Sequence, residues 1–512
     1  MEKADLILLS DSIFTSEDED TVSGYIAVKE DRILALGKGE DYEEYCDPNT
    51  KVFDLHGKTI TPGFIDVHCF FTGYVIRFLG ADLSTCENTK DVFEIIKDIN
   101  KDALFGHGLK IDIEKKVLDE AYPDTPVVLF MEGCESCAMN TKAMEVFGFT
   151  PERCYPEAYV KIFPYVLGDH DSIAPQFKDY MKMMNSRGVT SVKEMGFDDF
   201  YTFDEVLNDL EKNEELTLRV NFMSQPVARK MDLAFGERMR EKYHSDMLSF
   251  SGYNQMSDGS VSEHNAYLKK PYEDKDTICA MEIDWKQLEE DVIEADRKGF
   301  RFSLHCQGDG AIEKALDIFE KCKRDENGRV ILRQAMTDLE FSDPKDLERM
   351  GKLGVTAEVY PQIQSIANRN DKLKMIKEKI GEERGRYYWN RRKMIDSGVT
   401  ISCGTDLPLL IDDIPESIYH AVGGYFPEGG EPFNEENMLT RAELIKAWTY
   451  GGAYNLSKEE RIGTLKEGKK ADLVVMSGDL LETPIEEIRN LDVAMTIFNG
   501  RIVYQKEDEE DV

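Results

Sequence analysis

The sequence predicts an α/β protein: a (β/α)₈, TIM-like barrel with a small discontinuous β-sandwich domain formed by both chain ends. Three observations predict it. The chain has 512 residues, strand-like and helix-like segments alternate through its middle, and its two ends are rich in short strands. Alternating strands and amphipathic helices favour a parallel sheet, and about eight such units are typical of a closed barrel.

Nine short apolar runs carry the barrel prediction, one more than a barrel needs. Most are followed by a charged segment with helical spacing, such as 285–298 and 311–323. The runs are 64–68, 127–131, 189–195, 218–223, 248–256, 301–306, 330–337, 355–360 and 400–405. We expect 218–223, or part of 248–256, to be the run that lies outside the barrel.

The two chain ends differ from the middle. Strand-like runs at 25–28 and 32–37 are separated by a turn, and similar runs occur at 471–476 and 494–504. Because chain termini often lie close together, these runs can pair into one small domain. We therefore predict a composite β-sandwich domain of residues 1–60 plus 464–512, and a barrel of residues 61–463.

Charge and cysteine usage limit the function classes. The formal net charge of −37 argues against a nucleic-acid groove and against binding to anionic membranes. No run of 18 apolar residues and no signal-peptide pattern is found. The ten cysteines lack regular spacing, which is typical of reduced thiols. We expect a cytoplasmic protein that acts on a small molecule.

A series of short motifs carries a family resemblance. In chain order they are TPGFIDVH at 61–68, GVTSV at 188–192, SDGS at 257–260, HCQGDGAI at 305–312, GTDLP at 404–408 and GTLKEGKKADLV at 463–474. Together they resemble the metal-dependent amidohydrolases of the amidohydrolase-3, YtcJ-like branch, over essentially the whole chain. The resemblance implies a barrel with its site at the carboxyl ends of the strands.

The family takes its metal ligands from His-x-His on strand 1, often a Lys on strand 4, His on strands 5 and 6, and Asp on strand 8. Three positions match that pattern. His68 is the first strand-1 His, His305 is the strand-5 His, and Asp406 is the strand-8 Asp.

The other three positions depart from the family pattern, so the resemblance implies a partly degenerate metal site. Phe70 stands where the second strand-1 His is expected, and Asn254 stands at the strand-4 Lys position. Thr337, or Met336 in the alternative register, replaces the strand-6 His.

The three matching residues are enough for one metal ion. Two His, one carboxylate and a water satisfy a catalytic zinc ion, which needs about three protein ligands. We therefore expect at most one divalent ion, with zinc as the preferred metal, held by His68, His305 and Asp406. Asp406 and His305 are the predicted catalytic residues, with Asp406 accepting the proton of the attacking water. Further predicted positions around the substrate are Phe70, Asn254, Thr337, Glu135, Glu194 and His264.

Together with these residues, the resemblance implies a hydrolase that cleaves a carbon–nitrogen bond, other than a peptide bond, in a small molecule. Two alternatives stay open. One is a catalytically degenerate barrel that binds a ligand or regulates a partner. The other is a metal-independent isomerase or lyase that uses His305 and Asp406 as an acid–base pair. We also expect a homodimer, for the sole reason that dimers are the commonest oligomers of soluble proteins.

Overall fold

The computed structural model describes residues 2–97, 99, 101–132, 136–151, 154–196, 202–226, 230–410 and 413–506. These residues form strands numbered in chain order β1–β20: Leu6–Phe14, Thr21–Lys29, Arg32–Lys38, Lys51–Asp54, Thr59–Pro62, Phe64–Cys69, Ala81–Asp82, Leu104–Leu109, Val127–Met131, Cys137–Met139, Val189–Glu194, Arg219–Ser224, Leu248–Met256, Arg301–Cys306, Ala335–Asp338, Thr356–Val359, Ile401–Cys403, Leu473–Met476, Val493–Phe498 and Arg501–Gln505.

The α-helices are numbered in the same way, α1–α17: Phe71–Arg77, Thr89–Ile96, Lys115–Ala121, Thr141–Phe147, Cys154–Leu167, His170–Asn185, Phe203–Lys212, Leu233–Lys242, Trp285–Arg297, Asp309–Phe319, Pro344–Leu353, Arg369–Lys379, Glu382–Gly385, Arg391–Asp396, Ile414–Ala421, Arg441–Lys446 and Gly452–Asn455. Within the described ranges, no helix has the length and apolar character that a membrane span requires.

Eight parallel strands form the barrel sheet, in the order β6, β11, β12, β13, β14, β15, β16, β17. The sheet is nearly closed: the backbone N–H of Asp406 donates to the carbonyl of His68 at 2.8 Å, and a parallel bridge pairs Cys69 with Leu407. The contact that brings the first and last strands together therefore lies at two predicted site residues. The predicted α/β barrel is confirmed.

Strand alternation decides which side chains enter the barrel. Along β14, Arg301, Ser303 and His305 share the inward face, since Arg301 and Ser303 both bond to the same carboxylate of β16. The intervening Phe302 packs outward against the ring of Tyr253. The barrel interior is thus polar at its centre.

The prediction of the surplus run is wrong. Residues 218–223 and 248–256 correspond to β12 and β13, which are both barrel strands. The run outside the barrel is β9 (Val127–Met131), which belongs to a separate four-stranded sheet in the order β10, β9, β8, β7. Both kinds of run are short, apolar and buried, so hydrophobic periodicity does not tell them apart.

The chain divides into two compact units. The first unit comprises residues 1–69, 181–198 and 215–512 and contains the barrel sheet. The second comprises 70–180 and 199–214 and contains the four-stranded sheet. Its own core includes Leu83, Val92, Leu104 and Leu129. The sequence pattern does not distinguish this second unit from the barrel.

Strands from both chain ends share one sheet in the first unit, with the order β20, β19, β18, β5, β1, β2, β3 and with β4 beside β1. The two ends meet where β5 pairs antiparallel with β18, Thr61 opposite Val474. Ile13, Ile26 and Ile497 are buried together in its core. A separate domain of residues 1–60 plus 464–512 stays a prediction, because this sheet and the barrel belong to the same unit.

Candidate functional site

Charged and polar side chains gather at the carboxyl ends of the barrel strands. His68 lies near the end of β6, His305 near the end of β14, Asp338 ends β15, and Asp406 follows β17. Active sites of (β/α)₈ barrels are built at this end of the sheet. All four residues belong to the first unit.

His68 and Asp406 face each other across the seam of the barrel. Nε2 of His68 lies 3.7 Å from Oδ1 of Asp406, whose side chain is 27% exposed. Asp66 holds the local geometry: it accepts hydrogen bonds from the Thr405 hydroxyl at 2.6 Å and from the Thr405 and His68 backbone N–H groups. Asp406 takes a left-handed backbone conformation with φ of 51°, which Asp tolerates better than most residues.

The Asp406 carboxyl group titrates close to neutral pH. Its pKa is raised to about 6, chiefly by burial and also by the negative charges of Asp338 and Asp66, while His68 and His305 oppose the rise. At pH 7 most of the group is therefore ionised, yet it is a stronger base than an ordinary carboxylate. A base with a pKa near the working pH is suited to proton transfer.

His305 lies between two carboxylates. Its Nε2 is 3.0 Å from Oδ2 of Asp338 and its Nδ1 is 3.6 Å from Oδ1 of Asp258. Burial lowers the pKa of His305, but the carboxylates of Asp258 and Asp338 outweigh burial and raise it well above the ordinary value. The ring is therefore held as a cation.

A tight loop fixes Asp258. Its carboxylate accepts backbone N–H groups of Gln307, Gly308 and Tyr267, at 2.8 to 2.9 Å. A Cβ on Gly308 would lie 2.3 Å from the carbonyl oxygen of Tyr267, so only glycine allows the two backbone segments to approach this closely. The glycine of the HCQGDGAI motif thus serves the placement of Asp258 beside His305.

A buried ionic group lies on the inner face of the strands. Lys193 of β11 forms an ion pair with Glu358 of β16, and Arg301 of β14 lies 3.5 Å from the same carboxylate. Glu358 also faces His68, with 3.5 Å between Oε2 and Nδ1. Burial opposes its charge, but Lys193, His68 and Arg301 hold the pKa of Glu358 well below the usual range.

Two of the predicted substrate positions lie on barrel strands that line this interior. Thr337 is buried and pairs in register with both His305 and Glu358. Asn254 of β13 is buried too, and its side-chain amide donates to Gln225 at 2.9 Å.

The remaining predicted positions lie elsewhere or outside the described residues. Since Lys193 points inward, alternation directs the buried Glu194 to the opposite face of β11. Nε2 of His264 lies 2.9 Å from Asp274 and 2.9 Å from Lys379, in a loop cluster. Phe70 follows β6 as the residue before helix α1 and belongs to the second unit. Glu135 lies outside the described residues.

The sequence pattern did not identify several residues of this arrangement, namely Asp258, Asp338, Arg301, Glu358 and Lys193. A charged residue inside a strand was the available signal for Lys193 and Glu358, because charges are rarely buried unless paired. Asp338 had no such signal, since it ends its strand like many turn residues.

The side chains present form only part of the predicted metal centre. The 3.7 Å between His68 and Asp406 is close to the spacing of two ligands on one zinc ion, about 3.4 Å for tetrahedral bonds of about 2.1 Å. His305 does not complete a set, because both of its ring nitrogens face carboxylates. Among the described residues, no group of three or more His, Cys, Asp or Glu is placed to hold a metal ion. As they stand, these side chains do not fit a three-ligand centre, which stays a prediction.

Comparison with known proteins decides the family. The model of the amidohydrolase family matches residues 51–504. The chain belongs to the amidohydrolase family. The predicted family is therefore confirmed, and this amidohydrolase is a hydrolase of the YtcJ-like branch. It is 23% identical to Putative amidohydrolase YtcJ of Bacillus subtilis, over 96% of the chain and 98% of that relative.

Other proteins match this chain over similarly large shares of its length. The amidohydrolase is 21% identical to N-substituted formamide deformylase of Arthrobacter pascens, over 98% of each chain. Among solved structures, an uncharacterized metal-dependent hydrolase from Pyrococcus horikoshii superposes with a TM-score of 0.74 at 21% identity, over 94% of this chain and 99% of that one. At this identity the likeness establishes the fold.

Proposed function

We propose that this amidohydrolase cleaves a carbon–nitrogen bond, other than a peptide bond, in a small molecule. The observation that carries the proposal is Asp406, a partly exposed carboxylate at the barrel mouth with a pKa of about 6 and with His68 at 3.7 Å. Family membership supports the hydrolytic chemistry, and the deformylase among the relatives supports the bond class.

Asp406 acts as the base in the proposed reaction. It takes one proton from a water molecule as the water oxygen bonds to the carbonyl carbon. The carbon–nitrogen bond then breaks, and the same proton passes from Asp406 to the leaving nitrogen. Water is thereby split between the two products, and the carboxylate is regenerated.

His305 supplies positive charge to the same step. It is held as a cation by Asp338 and Asp258, and it is near enough to lower the pKa of Asp406. A fixed cation beside the site stabilises negative charge that develops on the carbonyl oxygen.

The metal and the assembly are separate parts of the proposal. As an alternative to the cationic His305, we propose at most one divalent ion, with zinc as the preferred metal, on His68, His305 and Asp406; holding it would require His305 to release a ring proton. Metal analysis of protein purified without chelators tests this: one equivalent supports the ion, and a metal-free protein with full turnover contradicts it. Cytoplasmic location and a homodimer are likewise proposals, tested by fractionation and by light scattering.

A panel of N-formyl amines, N-acyl amines, ureas and cyclic imides tests the function. We expect release of amine or ammonia from one class by the wild-type chain, and loss of release in Asp406→Asn. Binding of a compound without turnover would instead support a ligand-binding or regulatory protein. Solvent deuterium entering a compound without hydrolysis would support an isomerase or lyase.

A further inference from the structure

Tyr360 is the first residue after strand β16, and its side chain faces the inside of the barrel. His305, Thr337 and Glu358 are paired in register on adjacent strands, so their side chains share the inward face. Tyr360 follows Glu358 by two residues, and strand alternation directs it to the same side. Its ring centre lies 5.4 Å from that of His68, and the residue is only 4% exposed. The ring therefore borders the functional site.

The phenol of Tyr360 lies near the acidic groups of the site. Burial and the negative charges of Asp406, Asp338 and Glu358 raise its pKa well above the usual value of about 10. A phenol carries its proton at neutral pH even without this rise, so the group is a hydrogen-bond donor. The main chain of Tyr360 is held by Arg391, whose guanidinium donates to the Tyr360 carbonyl at 3.2 Å. The site thus contains a neutral donor on a fixed backbone.

A second hydroxyl lies beside this phenol. The Thr337 side chain interacts with the phenol of Tyr360, yet its buried oxygen makes no hydrogen bond of ordinary geometry to any residue in the described part of the chain. Leaving a buried hydroxyl without a partner costs about 1–3 kcal/mol. At an active site, such a group is explained by a partner that binds there. Together the two hydroxyls can donate to one polar atom of a bound molecule.

We propose that Tyr360 is a further catalytic residue, whose hydroxyl, with that of Thr337, donates to the carbonyl oxygen of the substrate. The inference rests on the proposed function, because it names the donors to the carbonyl group that water attacks with Asp406 as the base. Hydrogen bonds from fixed donors strengthen as negative charge develops on that oxygen. The positive charge of His305 acts on the same oxygen, and the two hydroxyls supply the direct hydrogen bonds.

The ¹³Cζ NMR shifts of labelled tyrosines report the hydrogen bonding of each phenol without turnover. Formamide is the probe, because it is small, uncharged and carries an amide carbonyl. The Tyr360 signal is assigned by its loss in Tyr360→Phe. We expect formamide to shift this signal saturably and to leave that of Tyr272 in place, since the Tyr272 hydroxyl already donates to the Ala266 carbonyl at 2.8 Å. No shift at Tyr360, or an equal shift at Tyr272, would overturn the inference.

Tyr360→Phe keeps the ring and removes the donor, so kinetics with a compound that the wild type hydrolyses test the catalytic role. We expect kcat to fall about 10²–10³-fold with little change in KM, as when one oxyanion donor is removed. The matched control Tyr272→Phe also removes a buried phenol hydroxyl and should retain the wild-type kcat. A wild-type kcat in Tyr360→Phe overturns the inference and leaves the hydrolase proposal standing. A formamide shift at Tyr360 in a protein that hydrolyses no compound supports the donor and contradicts the proposed function.

Discussion

Oδ2 of Asp338 lies 3.0 Å from Nε2 of His305, so the last residue of β15 pairs with the imidazole near the end of β14. Asp338 reaches this position with a left-handed backbone, at φ of 77°. Such a conformation is uncommon outside glycine and costs of order 1 kcal/mol. The charged pair offsets this cost, since a buried imidazolium without its carboxylates would be unstable.

Replacing Asp338 with Asn should change how stability depends on pH. The raised pKa of His305 means that its charge stabilises the fold fully below the ordinary imidazole range near pH 6.5, and that this contribution is lost as pH rises through the folded pKa. In Asp338→Asn the folded pKa of His305 is lower, so we expect the pH-dependent loss of stability to be smaller and to be complete at a lower pH. Urea unfolding between pH 6 and pH 9 measures how the free energy of unfolding of each protein depends on pH.

The exposed pair of His56 and Asp54 provides the control. Asp54 also raises the pKa of its histidine, but the pair is in contact with water, where such pairs contribute little. Asp54→Asn should therefore follow the wild-type pH dependence. Equal curves for Asp338→Asn and the wild type would contradict the charged state assigned to His305.

Asp406→Asn should abolish hydrolysis while preserving the fold. In the wild type, kcat/KM should fall as pH drops below about 6, because the base with a pKa of about 6 becomes protonated. We expect a rate loss of about 10²–10⁴-fold in the variant. Asp413 also has a pKa raised to about 6, but it caps helix α15; Asp413→Asn keeps a capping residue and should retain full activity.

The ion pair of Lys193 and Glu358 should show strong coupling in a double-mutant cycle. Removing one partner of a buried pair leaves an unpaired charge, so Lys193→Met is expected to cost about 3–5 kcal/mol of unfolding free energy. Lys193→Met/Glu358→Gln should recover much of that loss. Additive effects of the two single variants would mean that the residues do not interact.

Arg219 should matter for joining the barrel to the sheet of the chain ends. This buried guanidinium of β12 bonds to Asp472 and lies 3.2 Å from Asp246, over the ring of Phe498. Arg219→Met is expected to cost about 3–5 kcal/mol. Arg461, 62% exposed and 3.1 Å from Asp246, is the control, since Arg461→Met should cost about 1 kcal/mol or less. Denaturant unfolding measures the loss of unfolding free energy in each variant. Similar losses in the two variants would contradict the role of Arg219 in joining the barrel to the sheet of the chain ends.

Sequence patterns were sufficient for the barrel and for the strand ends that carry His68, His305 and Asp406. They failed where tertiary pairing decides the outcome. Residues 127–131 resemble a barrel strand in every local respect, yet they pair within another sheet. The partners of His305 were also missed, because Asp258 approaches the ring from a loop and Asp338 from the left-handed end of β15, and sequence spacing encodes neither.

The second unit interrupts the barrel between two strands that are neighbours in the sheet. β6 ends at Cys69 and β11 begins at Val189, yet Glu194 pairs with Cys69. Closing a long loop adds little entropy cost, about 0.6 kcal/mol for each doubling of its length. The insertion therefore costs little stability at equilibrium. The pairing of β6 with β11 nevertheless joins residues that are far apart in the sequence, and such contacts slow folding. The first barrel strand can therefore pair with its neighbour in the sheet only after nearly a quarter of the chain has been synthesised between them, and the inserted unit, with a core of its own, can fold in that interval.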